Sequence, residues 1–319
     1  MAYLQIGLLA PRLFVRKSLP GLVRLDVVER EKHEIKENEA EAGPSEVALA
    51  AERALRELAG TGGNAKLFLP PGAPCDNDIV LSVVLVEEDE WWIGYHLHSR
   101  YHRPWPGGVA RIELPRAAPS RAYLKLLEGL SWPGLPIRKG ETALELGSAP
   151  GGASFGLLER GLSVLGVDPA DMSRAVLENP AFRHIRLQAK QLRMDEVGPV
   201  DWLFSDMNIA PDEALDAVEK LMAAPGGMDK GRLLGALLTL KLTNWKRSQD
   251  IPELVRKLLE RILVIGFAHA QAAQLYYNRH EICVACFTPL GLERISKTLK
   301  PAPSARLHES VSKARKKKF

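Results

Sequence analysis

Cysteine is scarce in this chain. Of 319 residues only Cys75, Cys283 and Cys286 carry thiols. Three thiols make no disulfide framework, and a reducing cytoplasm is the simplest home for them. Long apolar runs are missing as well: the longest, Leu233–Leu240, falls far short of the ~20 residues that a membrane helix needs. The opening MAYLQIGLLAPR has no basic residue ahead of its short apolar run and makes a poor secretory signal. No internal repeat is visible. Neither sign of charge dominates, since 43 Lys and Arg against 39 Asp and Glu leave +4. With 46% hydrophobic and 26% charged residues, the composition excludes a wholly disordered or collagen-like chain.

The charge that is present is unevenly placed. From Lys300 to Phe319 there are seven basic residues and one acid, a net +6, so the other 299 residues sum to −2. A basic, flexible tail over 297–319 suits a polyanion such as RNA. At ~150 residues per domain, the length suggests two domains. Residues 1–105 read as a small α+β domain, a possible RNA-binding unit. Met1–Val28 is strand-like in pieces, with Val23, Leu25 and Val27 alternating, and Arg30–Ala42 is a charged, exposed run. Ser45 is placed to cap a helix that has Glu46 in its first turn. Val47, Ala51, Leu55 and Leu58 recur at helical spacing, and Gly60 marks the stop. Ile79–Val86 and Trp91–Tyr95 read as strands. Pro104-Trp-Pro-Gly-Gly108, Pro115 and Pro119 mark a linker over 106–117. Beyond it, over 118–296, apolar runs alternate with helical stretches, the pattern of a parallel α/β sheet. The predicted strands there are Thr142–Leu146, Ser163–Val167, Val200–Phe204, Leu233–Leu240, Ile262–Phe267 and Ile282–Phe287.

The most informative stretch follows the first of these strands: Gly147, Ser148, Ala149, Pro150, Gly151 and Gly152 form a turn into a helix. Such a turn lets backbone pass close to a ligand, and a helix N-terminus offers free N–H groups to an anion. Asp168 ends the next predicted strand, 21 residues after Gly147, where an acid in doubly wound folds bonds ribose hydroxyls. The turn is neither G-x-G-x-x-G nor a P-loop, which disfavours NAD and ATP and favours S-adenosylmethionine. That ligand would place its carboxylate near the turn and its ribose on Asp168.

Five stretches then fall in order: Ser120-Arg-Ala-Tyr-Leu-Lys-Leu-Leu-Glu128, the Leu-Gly-Ser-Ala-Pro-Gly-Gly turn, Phe204-Ser-Asp-Met-Asn208, Leu240-Lys-Leu242 and Tyr277-Asn-Arg-His-Glu281. Together they resemble the FtsJ-like ribose 2′-O-methyltransferases. Ala118-Pro-Ser-Arg and Gln274–Glu281 look most like the RlmM type, which methylates a cytidine ribose in 23S ribosomal RNA. The resemblance covers about 118–289. It implies a Rossmann-like S-adenosylmethionine-dependent methyltransferase domain and maps a Lys-Asp-Lys-Glu tetrad onto Lys125, Asp206, Lys241 and Glu281. Asp206 would also face the cofactor, and the chemistry calls for no metal and no membrane. A ribose hydroxyl must lose its proton as it attacks, and a lysine can accept it only when neutral. A neighbouring lysine and burial both lower a lysine pKa. Lys241, a cation inside the apolar run LLTLKL, is therefore the expected base, with Lys125 as the like charge. Two departures stand out. Ala122 occupies a place where the RlmM pattern has serine. Arg186–Gln191 lacks the acid expected at the adenine, leaving Gln188 or Gln191 to serve there.

Other residues point elsewhere. Cys283 and Cys286 form a C-x-x-C inside a predicted buried strand, whose period of two sends the thiols to opposite faces. They read as core. His96, His98 and His102, among Trp91, Trp92, Tyr95, Tyr101 and Trp105, have no nearby Cys or acid to complete a metal site. A plain aromatic core with polar edges leads there, ahead of an RNA-stacking surface. The alternatives to the whole reading are a 2′-O-methyltransferase of another RNA, a non-catalytic RNA-binding protein that keeps the fold, and an NAD-dependent oxidoreductase.

Overall fold

The structure, a computed structural model, describes residues 22–30, 45–61, 67–99, 102, 105–110, 112–224, 232–242 and 250–298. The strand-like pieces before Leu22, the run 31–42, Tyr101 and the basic tail beyond 298 lie outside the described residues. The rest forms two compact units. The first comprises the described residues up to Arg116 with Leu124–Gly134 and Leu275–Arg279. The second holds Ala117–Tyr123, Leu135–Gln274 and the residues from His280 on.

In the first unit, β1 (Val23–Glu29) leads through α1 (Glu46–Thr61) to a parallel neighbour, β2 (Ile79–Leu85). A tight connection then returns β3 (Trp91–Leu97) antiparallel, at the sheet edge. Ser45 caps α1 as expected, its Oγ accepting the Ala48 N–H at 3.1 Å. The buried stripe of α1 is not the expected one. Ala48 and Ala51 are buried and Leu55 packs beside them, whereas Val47 and Leu58 are exposed. Small residues let the helix sit close on Val23, Leu25 and Val27. Gly60 does not stop α1, which continues to Thr61. Of the β3 aromatics Trp91 packs against this unit's core, whereas Trp92 and Tyr95 are 55% and 70% exposed.

The second unit is a seven-stranded sheet. Its strands are β4 (Thr142–Leu146), β5 (Ser163–Val167), β6 (Phe182–Ile185), β7 (Trp202–Ser205), β8 (Gly235–Lys241), β9 (His269–Ala273) and β10 (Glu281–Phe287). Their spatial order is β6-β5-β4-β7-β8-β10-β9, all parallel except β10. One face is covered by α6 (Pro211–Ala223) and α7 (Ile251–Ile265). The remaining helices are α2 (Ala122–Ser131), α3 (Gly152–Glu159), the single turns α4 (Arg174–Leu177) and α5 (Met194–Val197), and α8 (Pro289–Thr298). The predicted strand Ile262–Phe267 is instead the last turn of α7. Leu258 and Ile262, one helical turn apart, are buried while Val264 is exposed, and Gly266 ends the helix at φ +124°. Cys283 and Cys286 are buried in β10, and burial pushes the Cys286 thiol up. Among the described residues no helix is long and apolar enough to cross a membrane.

Candidate active site

The chain leaves β4 toward β5 and β6 on one side and later returns to build β7 and β8 on the other. The reversal falls between β4 and β7, and in open α/β sheets ligands bind outside the carboxyl ends of strands at such a point. A cavity of about 690 Å³ opens there, within the range of small-molecule sites, roughly 300–1,000 Å³. Gly147, Ala149, Asp168 and Asp206 line it; Ser148, Pro150, Gly151 and Gly152 do not.

Local sequence explains the shape. Gly147 holds φ +81°, and a Cβ there would lie 2.7 Å from the Asp206 carbonyl oxygen, so only glycine lets the β4 and β7 turns meet. The Asp206 N–H donates to the Leu146 carbonyl at 3.1 Å. Gly152 opens α3 against Ser120, whose Oγ would be 2.2 Å from an added Cβ; the Ser120-Arg-Ala stretch thus packs on the helix start. The Asp168 carboxylate accepts the N–H of Ala149 (3.1 Å) and of Ala170 (2.8 Å). A carboxylate has about four acceptor positions, so two remain for a diol. Gln188 lines the cavity, while the Gln191 side chain turns back to accept the Gln188 N–H at 3.1 Å. The Val167, Met207 and Ile209 side chains give an apolar wall. This donor set fits a nucleoside-bearing cofactor: an acid for ribose, an amide near it and an apolar face for a base.

Beside the cavity lies a charge constellation. Lys241 ends β8 and Glu281 begins β10, directly opposite it in the antiparallel ladder. Asp206 follows β7, the other neighbour of β8. The Lys241 Nζ donates to Asp206 Oδ1 at 3.0 Å and to Glu281 Oε2 at 2.5 Å. The three residues stand 35 and 40 positions apart. Lys125 sits half-buried on α2, in the part of that helix belonging to the first unit. The electrostatics of Lys241 run against the expected lowering. Burial, the largest single influence, pulls its pKa down, but the Asp206 charge and the hydrogen bond and charge of Glu281 outweigh it. The lysine is held above its ordinary value.

The sequence reading gave no role to two buried acids. Glu145, inside β4, accepts the Ser154 hydroxyl at 2.5 Å. Burial pushes its carboxyl up to about 8. The Ser154 hydrogen bond opposes that rise, and the charges of Asp206 and Asp168 add to it. Glu128 on α2 is fully buried and takes the N–H groups of Tyr276 and Tyr277 at 2.8 and 2.9 Å, fixing the turn before β10. An acid inside an apolar run, TALEL or LKLLEGL, was the signal for both.

The sheet order and the cavity at its switch point define a Rossmann-like α/β domain. Residues 118–248 match the family model of the FtsJ-like methyltransferases, the family that the motifs resemble. The curated relatives narrow it further. The chain is 33% identical over 198 residues to the ribosomal RNA large subunit methyltransferase M of Laribacter hongkongensis, covering 60% of this chain and 54% of that one. It is 36% identical over 201 residues to the protein of the same name from Alkalilimnicola ehrlichii, covering 60% and 52%. The chain thus spans about half the length of the curated relatives it matches.

Proposed function

We propose that this chain is a cytoplasmic S-adenosylmethionine-dependent RNA ribose 2′-O-methyltransferase acting on 23S ribosomal RNA or its precursor. In this reading residues 118–296 carry the chemistry, and the 1–105 domain and the 297–319 tail help hold RNA. The observation that carries it is the double position of Asp206, which lines the cavity and also grips Lys241. S-adenosylmethionine, when bound, supplies an electrophilic methyl group on a positively charged sulfur. Gly147, Ala149 and Asp168, which line the cavity, would hold it, and Asp206 would face its positive charge.

Lys241 is the base, and Glu281 and Asp206 aim its amine. These two acids favour its ammonium form. A cation held beside Asp206 would offset that acid. Offsetting the Asp206 charge would work in the same direction as burial, toward a neutral Lys241. The Lys241 Nζ would take the proton that a ribose hydroxyl gives up as it accepts the methyl group. Alignment of oxygen, carbon and sulfur supplies much of the remaining rate. Mapping 2′-O-methyl sites in RNA with and without the gene tests the substrate. At least one 23S site should vanish without it, and an unchanged ribosomal map would refute the assignment. Lys241→Ala protein should retain cofactor binding and lose methyl transfer by about 10²–10⁴-fold, the usual range for a general base.

A further inference from the structure

The histidines of the first unit do not form the edge of an aromatic core. His96 and His98 project from β3 and its continuation to one side of the sheet, and His102 folds back from the turn that follows. The His96 and His102 rings stack with centroids 4.7 Å apart, and His98 lies 5.5 Å from His102 and 5.9 Å from His96. One ring nitrogen of each comes within 4.8 Å of the others.

Three further facts give this meeting of rings a chemical sense. His98 is 5% exposed, and its Nδ1 is buried with no hydrogen-bond partner among the described residues. A buried nitrogen left unpaired is costly unless something else binds it. His102 Nδ1 accepts the Ser99 N–H at 3.0 Å and lies 3.0 Å from the Ser99 hydroxyl, so this nitrogen carries the ring's lone pair, engaged by Ser99, and the proton sits on the far nitrogen. The His98 backbone is pinned, its N–H donating to the Asp78 carbonyl and its own carbonyl accepting the Asn77 N–H, both at 2.8 Å. Three imidazoles without thiolate suit zinc and its neighbours rather than calcium or magnesium.

We propose that His96, His98 and His102 bind one divalent cation of the zinc class, with a fourth position left to water. The site rests on elements that carry none of the methyl-transfer residues. Around tetrahedral zinc, ligand nitrogens at ~2.0–2.1 Å from the metal stand about 3.3 Å apart. The rings must therefore draw in, and His102 must exchange the Ser99 amide for the cation. Bound metal would tie the end of β3 to the following turn.

The test uses the full chain stripped of metal, titrated with Zn²⁺ by calorimetry and with Co²⁺ as a spectroscopic probe. The expected result is one cation per chain, visible bands of tetrahedral Co²⁺, and a melting temperature that rises with Zn²⁺. His102→Ala, at an exposed position, should weaken binding by more than the roughly 10–100-fold that loss of an outer-shell partner costs. His98→Ala should do the same, with circular dichroism confirming that it folds. Cys75→Ser should leave binding unchanged. Absence of stoichiometric binding, binding unaltered in His102→Ala, or binding lost in Cys75→Ser would each overturn the proposal.

Discussion

Glu145→Gln is the perturbation whose size follows most directly from the structure. The Glu145 carboxyl is buried under the β4 turn and keeps its proton to about pH 8, against an ordinary 4.5. Below pH 4.5 both folded and unfolded chains are protonated there, and this residue imposes no charge cost. Between 4.5 and about 8 only the unfolded chain releases the proton, so stability falls by about 1.4 kcal/mol per pH unit, about 5 kcal/mol in all. Above that both states are ionised and the loss is complete. Glutamine cannot ionise, so it removes the slope. It keeps an acceptor for the Ser154 hydroxyl but brings an NH₂ group that leaves a buried donor unpaired, at about 1–3 kcal/mol. The variant should therefore be the less stable protein at pH 5 and the more stable at pH 8, with the curves crossing near about pH 6. Urea unfolding followed by circular dichroism at several pH values reads this directly. Parallel pH curves for the two proteins would show that Glu145 is already ionised in the folded state, and the reasoning would fail.

Three other outcomes follow from the same geometry. Gly147→Ala must strain the backbone and push Asp206 aside, costing about 2–4 kcal/mol and weakening cofactor binding in a thermal-shift titration. Gly140→Ala, at φ +86° with open space around it, should cost only the backbone strain, about 1–2 kcal/mol, and leave cofactor binding intact. Ser45→Ala removes the α1 cap and should lower stability by about 1 kcal/mol without touching methyl transfer.

Much of the sheet was legible because its central strands are buried on both faces. Thr142–Leu146 and Ser163–Val167 are continuous apolar runs with turn signals at their ends, and both strands have those bounds. The peripheral strands were not legible. Phe182–Ile185, with Arg183 and His184 inside it, and His269–Ala273, short and alanine-rich, lack any apolar run. Ile262–Phe267 misled because β-branched residues also fill the last turn of an amphipathic helix. In the site, the resemblance to the FtsJ-like family pointed to Lys125, Asp206, Lys241 and Glu281, of which the last three are joined by hydrogen bonds. The sign of the Lys241 shift was hidden, since it depends on two acids brought within hydrogen-bond reach by strand pairing rather than by sequence proximity. The histidine trio was visible as letters, but its convergence depends on a turn after β3 that spacing alone does not specify.

The antiparallel run of β10 has a consequence for how this protein tolerates change. Because Lys241 and Glu281 face each other across one rung at the ladder's end, their meeting is written in the strand register and not in the span of chain between them. Lengthening that span leaves the rung intact. Deleting a single residue after Glu281 within β10, with the buried remainder of the strand keeping its register, would move Glu281 by one place and aim the carboxylate away from the amine. Insertions and deletions of equal size should therefore divide sharply, harmless in one segment and fatal in the next.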